Sequence, residues 1–163
     1  MLTESLIREH TNLNKGILIG YSGGPDSTAL VHLLSSLKAY QELDVKAIHI
    51  NHNLSKHSAM WENHCIETCS KLNINLITES IEIKVDGGGL ESASRKARYR
   101  VFEKILNAGD QLLLGHHSDD VAETLFMRLL RGTGPDGMEG PKLQRTLGKG
   151  VLIRPFLEIS KKQ

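Results

Sequence analysis

The sequence predicts an α/β fold in which a parallel sheet carries helices on both faces. Short apolar runs alternate along the chain with longer amphipathic stretches, which is the pattern of strands joined by crossover helices. The first apolar run, residues 16–21 (GILIGY), is followed at once by glycines, as expected for a buried first strand before a tight turn. The 163 residues, 39% of them hydrophobic, suffice for one such domain.

Each predicted element follows from its own pattern. The predicted strands are short and rich in apolar residues, and they lie at 16–21, 45–51, 74–79, 151–154 and from 111 onward. The predicted helices carry apolar side chains at helical spacing and cover 27–38, 58–72, 91–106 and 121–131. Glycines at 87–89 and the loop 131–141 (RGTGPDGMEGP) interrupt the pattern. Because no sequence follows Gln163 to cover the last strand, we expect a domain that is cut short.

The charge balance excludes simple electrostatic functions. Lys and Arg number 20 against 19 Asp and Glu, so the net charge of +1 predicts neither general nucleic-acid binding nor membrane attachment. The charged first residues indicate no secretory signal, and no apolar stretch is long enough for a membrane span. The only cysteines, Cys65 and Cys69, stand one helical turn apart, where we expect small packing residues of a reduced, cytoplasmic protein.

A phosphate-binding loop follows the first predicted strand. Glycines at a strand-to-helix turn allow backbone amides to approach an anion, and the helix N-terminus adds partial positive charge. The loop residues are Ser22, Gly23, Gly24, Pro25, Asp26 and Ser27. The Walker lysine is missing, and Asp26 would need a bridging cation beside a phosphate, which predicts a role in holding Mg²⁺. Two alternatives remain open: Asp26 or Ser27 caps the helix, or GxSxG at 20–24 is a hydrolase nucleophile elbow.

A second polar cluster follows the fourth predicted strand, where open α/β sheets bind ligands. It consists of His116, His117, Asp119, Asp120 and Glu123. Such a cluster suits a metal site, or acids that bind Mg²⁺ and a cationic amine. Alternatively, the acids only complement the dipole of the following helix.

The helix over 91–106 is basic. Arg95 and Arg98 stand three apart on one face, so together they could hold a phosphate or an RNA backbone, whereas Lys96 and Arg100 fit a solvated face. The histidines around residues 49–64 alternate between faces and elements and do not match a metal site. With aromatics at 4% of the chain, Trp61 is interpreted as a packing residue.

Four segments resemble one family. The loop SGGPDS is similar to the SGGxDS loop of N-type ATP pyrophosphatases. Residues 47–74 resemble the HxNHGLR segment of tRNA(Ile)-lysidine synthetases, 89–99 (GLESASRKARY) their EAxARxxRY helix, and 114–140 their GHHxDDxAETxLxRLxRGxG block. Asn53 and Ser55 replace the usual Gly and Arg, so we expect no arginine contact from that loop.

The resemblance implies a Rossmann-like fold of the adenine nucleotide alpha hydrolase type, with 1–163 as the N-terminal ATP-binding PP-loop domain and the C-terminal tRNA-binding domains absent. It also implies the activity: ATP with Mg²⁺ adenylates C2 of the wobble cytidine (position 34) of tRNA(Ile) with a CAU anticodon, and free L-lysine displaces AMP to give lysidine. A tRNA 2-thiolation enzyme and a non-catalytic ATP-binding module are the alternatives, and a homodimer is left open.

The resemblance also suggests residue roles. The loop at 22–27 would hold the phosphates, and Asp26 with Asp120 would bind Mg²⁺. The remaining catalytic candidates are Arg95, Arg98, His117, Asp120 and Glu123, with Asp119 and, more weakly, His116 beside them. Because the second strand adjoins the first in such sheets, its end at Ile48, His49 and Asn51 should border the adenine.

Overall fold

A six-stranded sheet in the order β3-β2-β1-β4-β6-β5 forms the centre of the protein. The computed structural model describes residues 4–83, 89–130, 132 and 140–160. The strands are β1 (Ile17–Gly20), β2 (Val45–Asn51), β3 (Asn75–Ser80), β4 (Gln111–Leu113), β5 (Gln144–Leu147) and β6 (Gly150–Ile153). All neighbouring strands pair in parallel except β5 with β6. The predicted α/β class is therefore confirmed, with one antiparallel edge strand.

Five helices connect or flank these strands within the described ranges. They are α1 (Glu4–His10), α2 (Pro25–Tyr40), α3 (Ser58–Lys71), α4 (Gly89–Ile105) and α5 (Ser118–Leu130). None of them is long and apolar enough to cross a lipid bilayer. The crossover helices occur where the amphipathic spacing predicted them. Residues 84–88, 131 and 133–139, which include most of the predicted glycine run and loop, lie outside the described residues.

The sequence prediction missed α1 and β5. β5 (QRTL) is polar and mostly outside the core, so it has no apolar run from which a strand could be predicted. It pairs with β6 through a tight turn in which Gly148 has φ 56°, a conformation that favours glycine. The strand predicted as fifth, 151–154, is therefore the sixth, and it covers Gly150–Ile153.

The two faces of the sheet bury separate apolar clusters. Ile19 pairs with Ala47 and Leu113, and Leu113 pairs with Ile153, so these four side chains form one row across the sheet. That row packs with α2 in a core that also receives side chains from α1 and α3. The neighbouring row of Leu18, Leu112 and Leu152 packs instead with Tyr99, Phe102 and Leu106 from the α4 side. The predicted placement of helices on both faces is confirmed.

Because β1 to β4 and β6 pair in parallel, their carboxyl ends lie at one edge of the sheet. β1 is bonded to β2 on one side and to β4 on the other. The segments that follow these three strands therefore meet above the middle of the sheet, where open α/β sheets place their ligands. They are the loop 22–27, residues 52–57 and residues 114–117.

Leu34 on α2 provides a test of the first core. Its side chain is fully buried in that cluster. We expect Leu34→Ala to lower the free energy of unfolding by about 2–5 kcal/mol, because it removes buried methyl groups and leaves a cavity. Leu130→Ala, at a side chain that is 67% exposed, should change it by less than about 0.5 kcal/mol. Urea unfolding measures both, and equal effects would contradict the assigned core.

Candidate active site

A cavity of about 440 Å³ opens at the carboxyl ends of β1, β2 and β4. Its wall includes parts of the glycine-rich loop, the end of β2, the segment after β4 and the inner side of α4. The predicted site residues that line it are Ser22, Gly24, Asp26, Ser27, Ile48, His49, Asn51, Arg98, His116 and Asp120. The structure thus brings these residues together around one cavity, and their roles in binding and catalysis stay predictions.

The loop after β1 is held by its own hydroxyl groups. The Oγ atoms of Ser22 and Ser27 lie 3.0 Å apart, the Gly24 amide donates to Ser22 Oγ at 3.3 Å, and Ser27 Oγ donates to the Gly24 carbonyl at 3.0 Å. Gly23 has φ 81°, and an added Cβ there would lie 3.0 Å from Cys65 Sγ. The loop is therefore shaped by glycine conformation and by packing against α3.

The two alternative interpretations of this loop do not fit the geometry. Gly24 is the N-cap of α2, with Pro25 at the start of the helix and no side-chain cap, so neither Asp26 nor Ser27 serves as the cap. In the described part of the chain, the partners of Ser22 Oγ are Ser27 and the Gly24 amide, not the histidine that a hydrolase nucleophile requires. Like any α-helix, α2 begins with amides that have no intrahelical acceptor.

Two carboxylates converge on His117. Its Nε2 lies 3.6 Å from Asp26 Oδ2 and 3.7 Å from Asp120 Oδ2, and its side chain is 9% exposed. Its Nδ1 lies 3.9 Å from Asp119 Oδ2, too far for a hydrogen bond. The arrangement joins the start of α2 to the start of α5 through three ionisable groups.

Asp120 also has a structural task. Its carboxylate accepts the His117 backbone N–H at 2.9 Å, while the Asp120 N–H donates to the His117 carbonyl at 3.1 Å. Such reciprocal bonds cap a helix N-terminus. Asp120 therefore caps the start of α5, as one of the alternatives proposed, and it also lies near the same histidine nitrogen as Asp26. Glu123 is exposed and lies outside the cavity lining.

A group of arginines surrounds Tyr99 and is linked to the cavity by the hydrogen bond from Arg154 to His116, although none of these arginines lines the cavity. The guanidinium groups of Arg95 and Arg145 lie 5.3 and 5.0 Å from the centre of the Tyr99 ring, and Arg154 donates to the Tyr99 hydroxyl at 3.3 Å. Burial would raise the pKa of Tyr99, but the positive charges of Arg95, Arg154 and Arg145 outweigh it and lower the pKa. Among the residues that the structure describes, no carboxylate forms a salt bridge with these arginines.

Arg98 reaches the cavity from the same helix. Its Nε is buried without a hydrogen-bond partner in the described residues, and burial followed by the charge of Arg95 lowers its pKa. An unpartnered donor beside uncompensated positive charge favours an anion. Arg95 is exposed and does not line the cavity, so only one of the two predicted arginines, Arg98, reaches the site.

The end of β2 is fixed by side-chain hydrogen bonds. His49 Nδ1 lies 3.0 Å from the Tyr21 carbonyl and 3.4 Å from Cys65 Sγ. Because a carbonyl only accepts, His49 carries its proton on Nδ1. Asn51 Nδ2 donates to Glu62 at 2.7 Å. Rigid side chains thus border the cavity where the adenine was predicted.

Sequence reasoning missed two residues that line the cavity and one that holds a lining residue. Trp61 was expected only to pack, yet it lines the cavity with 58% of its surface exposed. Arg154, a single charge between an apolar strand and Pro155, carried no motif that would indicate its contact with His116. Gly115 could have been noticed, because a glycine directly after a strand often marks close backbone approach. Gly23, Pro25 and His117 belong to the neighbouring loop and acid cluster but do not line the cavity itself.

The close approach at Gly115 can be tested. An added Cβ would lie 2.9 Å from the carbonyl carbon and oxygen of Asp26 and 3.1 Å from the Ser27 nitrogen, all backbone atoms. We expect Gly115→Ala to destabilise the protein by about 1–3 kcal/mol, because β4 and α2 must separate. Gly140→Ala, where the nearest atom is a Val121 methyl at 3.2 Å, is the matched control. Urea unfolding that gives equal stability for Gly115→Ala and the wild type would contradict the contact.

The chain is similar to curated proteins named tRNA(Ile)-lysidine synthase. It is 44% identical over 143 residues to that of Alkalilimnicola ehrlichii, covering 87% of this chain and 32% of that protein. It is 45% identical over 145 residues to that of Pseudomonas syringae pv. tomato, covering 88% and 32%. With the Coxiella burnetii protein the identity is 40% over 161 residues, covering 97% and 36%. The chain spans about a third of the length of these relatives.

A solved structure has the same fold. The U34-tRNA thiolase NcsA from Methanococcus maripaludis with its 4Fe-4S cluster superposes with a TM-score of 0.70 at 19% identity, covering 98% of this chain and 58% of that one. The family profile of the PP-loop domain matches residues 3–163. Because this match extends over nearly the whole sequence, the chain belongs to the PP-loop domain family.

Proposed function

We propose that this chain is the ATP-binding catalytic domain of a tRNA(Ile)-lysidine synthase that acts in the cytoplasm. The enzyme would ligate lysine to C2 of cytidine 34 of tRNA(Ile) with a CAU anticodon, with release of AMP and pyrophosphate. The observation that carries the proposal is one cavity that joins the SGGPDS loop, Arg98 and Asp120 at the carboxyl edge of the sheet. Relatives of that name at 40–45% identity support it.

The cavity is suited to a nucleoside triphosphate. Its phosphates would lie on the loop 22–27, where the α2 N-terminus supplies amides and partial positive charge. Arg98 would donate its unpartnered Nε to a phosphate oxygen, and Arg95 would add long-range attraction. The adenine would border Ile48, His49 and Asn51 at the end of β2. In this arrangement the residues accelerate the reaction by positioning and charge neutralisation, without a protein nucleophile.

The acid cluster fits a magnesium ion. Mg²⁺ is usually held by one or two carboxylates together with phosphate oxygens and water. Asp26 and Asp120 approach one point, since both lie within 3.7 Å of His117 Nε2. We propose these two carboxylates as its ligands. Bound there, Mg²⁺ would neutralise the charge of the phosphates.

The lysine substrate carries two amines, and two exposed acids, Asp119 and Glu123, lie on α5 close in sequence to Asp120, which lines the cavity. We propose that His117, Asp119 and Glu123 orient lysine, with carboxylates pairing with its ammonium groups. One ammonium group first loses a proton; the resulting amine adds to C2 of the adenylated base, AMP departs with the C2 oxygen, and the attacking nitrogen loses a second proton. The negative α5 start and the positive α4 side would thus separate the two substrates by charge.

The thiolation alternative depends on reactive or cluster-binding cysteines. Cys65 and Cys69 are both buried, and they are the only two in the chain. Burial, with Cys69 and Glu62 nearby, raises the pKa of Cys65 to about 12, and burial raises that of Cys69 to about 11. The thiolate is the reactive form. The geometry therefore favours lysidine formation, although the thiolase shares the fold.

Asp26 tests the proposal. In a protein that joins this domain to the remaining part of one of its relatives, assayed with labelled lysine, ATP and a tRNA(Ile) transcript bearing CAU, Asp26→Ala should reduce lysine incorporation and pyrophosphate release by about 10²-fold or more, because phosphate charge is no longer neutralised. A transcript with uridine at position 34 is the substrate control.

Three outcomes separate the alternatives in this assay. Retention of activity by a Cys65→Ala, Cys69→Ala double variant is expected, and its loss would favour thiolation. ATP binding without any pyrophosphate release would favour a non-catalytic module. Undiminished lysine incorporation by Asp26→Ala would contradict the role of the loop.

Arg98 tests the phosphate site separately. The single tryptophan, Trp61, lines the cavity and reports binding by its fluorescence. We expect Arg98→Met to weaken ATP binding about 10-fold, since a charge-assisted hydrogen bond contributes about 1.5–3 kcal/mol. Arg100→Met, an exposed position of the same helix, is the matched control and should bind like the wild type. Equal affinities for both variants would exclude Arg98 from the phosphate site.

A further inference from the structure

Arg154 is the most deeply buried charged residue in the described part of the chain. It follows β6 directly and is 2% exposed. Its Nε donates to His116 Nδ1 at 3.1 Å, one terminal nitrogen donates to the Lys142 carbonyl at 2.6 Å, and the other donates to the Tyr99 hydroxyl at 3.3 Å. Its backbone amide donates to the Leu143 carbonyl at 2.8 Å. The guanidinium is thereby held on three sides by neutral acceptors.

The hydrogen bond from Arg154 Nε to His116 Nδ1 determines the tautomer of His116. Arginine has no acceptor and stays protonated in proteins. The nitrogen that receives its N–H, Nδ1 of His116, must therefore carry a lone pair. A neutral imidazole has one proton, which then resides on Nε2. His116 lines the cavity directly after β4, so the residue presents a donor to the site rather than a base.

The surroundings of His116 maintain its neutral form. Burial, and then the positive charge of Arg154, lower its pKa to about 4. Arg98 and Arg95 on α4 act in the same direction, while Asp120 on α5 opposes them. The ring is thus uncharged at neutral pH among three cationic neighbours and one acid.

We propose that Arg154 is a positioning residue that holds His116 in the Nε2-protonated form, so that His116 donates a hydrogen bond to a phosphate oxygen of the nucleotide or adenylate. The assignment deepens the proposed function and rests on it for the identity of the ligand. It excludes two other uses of His116, as a general base and as a metal ligand through Nδ1. An arginine suits this task better than lysine, because its planar fork reaches three fixed acceptors at once.

The tautomer can be measured directly. In ¹⁵N-histidine-labelled protein, long-range ¹H–¹⁵N correlation distinguishes protonated from unprotonated ring nitrogens, and the His116→Gln variant assigns the His116 signals. We expect an unprotonated Nδ1 and a protonated Nε2 in the wild type, with the Nε2 signal shifting when ATP is added. In Arg154→Met we expect a mixture of tautomers. A protonated Nδ1 in the wild type, or an unchanged tautomer in folded Arg154→Met, would overturn the proposal.

Activity variants at His116 keep the proposal testable if Arg154→Met does not fold. The glutamine amide can supply an N–H near the position of Nε2, whereas leucine cannot. We expect His116→Gln to stay within about 10-fold of wild-type pyrophosphate release and His116→Leu to lose about 10²-fold, as for removal of a transition-state donor. Equal losses would show that His116 does not act as a donor.

The tautomer measurement and the lysine incorporation assay test the role of Arg154 and the proposed function separately. The tautomer measurement needs neither lysine nor tRNA. The expected tautomer with an ATP-dependent shift, but without lysine incorporation, would refute the proposed reaction and keep the role of Arg154. Lysine incorporation together with an ATP-insensitive His116 signal would refute the donor assignment alone.

Discussion

The site depends on how closely the end of β4 lies against the start of α2. At Gly115 the two backbones approach until no Cβ fits between them. This contact places the residues after β4 beside the glycine-rich loop, and so His117 meets Asp26 across the gap. A wider separation would leave two isolated loop ends, one able to bind phosphate and one decorated with acids. The cavity exists because a glycine allows both to share one space.

Opposite charges in and beside the cavity lie in two separate groups. Arginines from α4, β5 and the end of β6 surround Tyr99 without acidic partners among the described residues, whereas the starts of α2 and α5 contribute aspartates around His117. A single ligand of one charge would leave one group uncompensated. The proposed pair of substrates, a polyphosphate and a diamino acid, matches both groups. The near-zero net charge of the chain conceals this local separation.

Much of this arrangement could be predicted from the sequence because it follows from periodicity and strand order. The crossover helices and the strands β1 to β4 have clear apolar patterns, and the motifs after β1 and β4 meet for topological reasons. β5 could not be predicted, because an edge strand outside the core needs no apolar alternation. Arg154 and Trp61 were missed for a different reason. Arg154 acts through a contact with His116, which lies 38 residues away in the sequence. Trp61 is exposed and lines the cavity. Neither property has a local pattern in the sequence.

The burial of Arg154 requires a physical explanation, since a guanidinium without a carboxylate is unfavourable in a protein interior. Three neutral acceptors satisfy three of its five N–H donors but do not compensate its charge. Arg98 adds a buried Nε donor that has no hydrogen-bond partner in the described part of the chain. An anion in the cavity would give Arg98 an acceptor and would offset part of the positive charge of the neighbouring arginines. By linkage, an anionic nucleotide that binds only the folded state then stabilises it, by about 2.7 kcal/mol at a hundred times its dissociation constant. The uncompensated positive charge of these arginines would therefore contribute to the affinity for an anionic nucleotide.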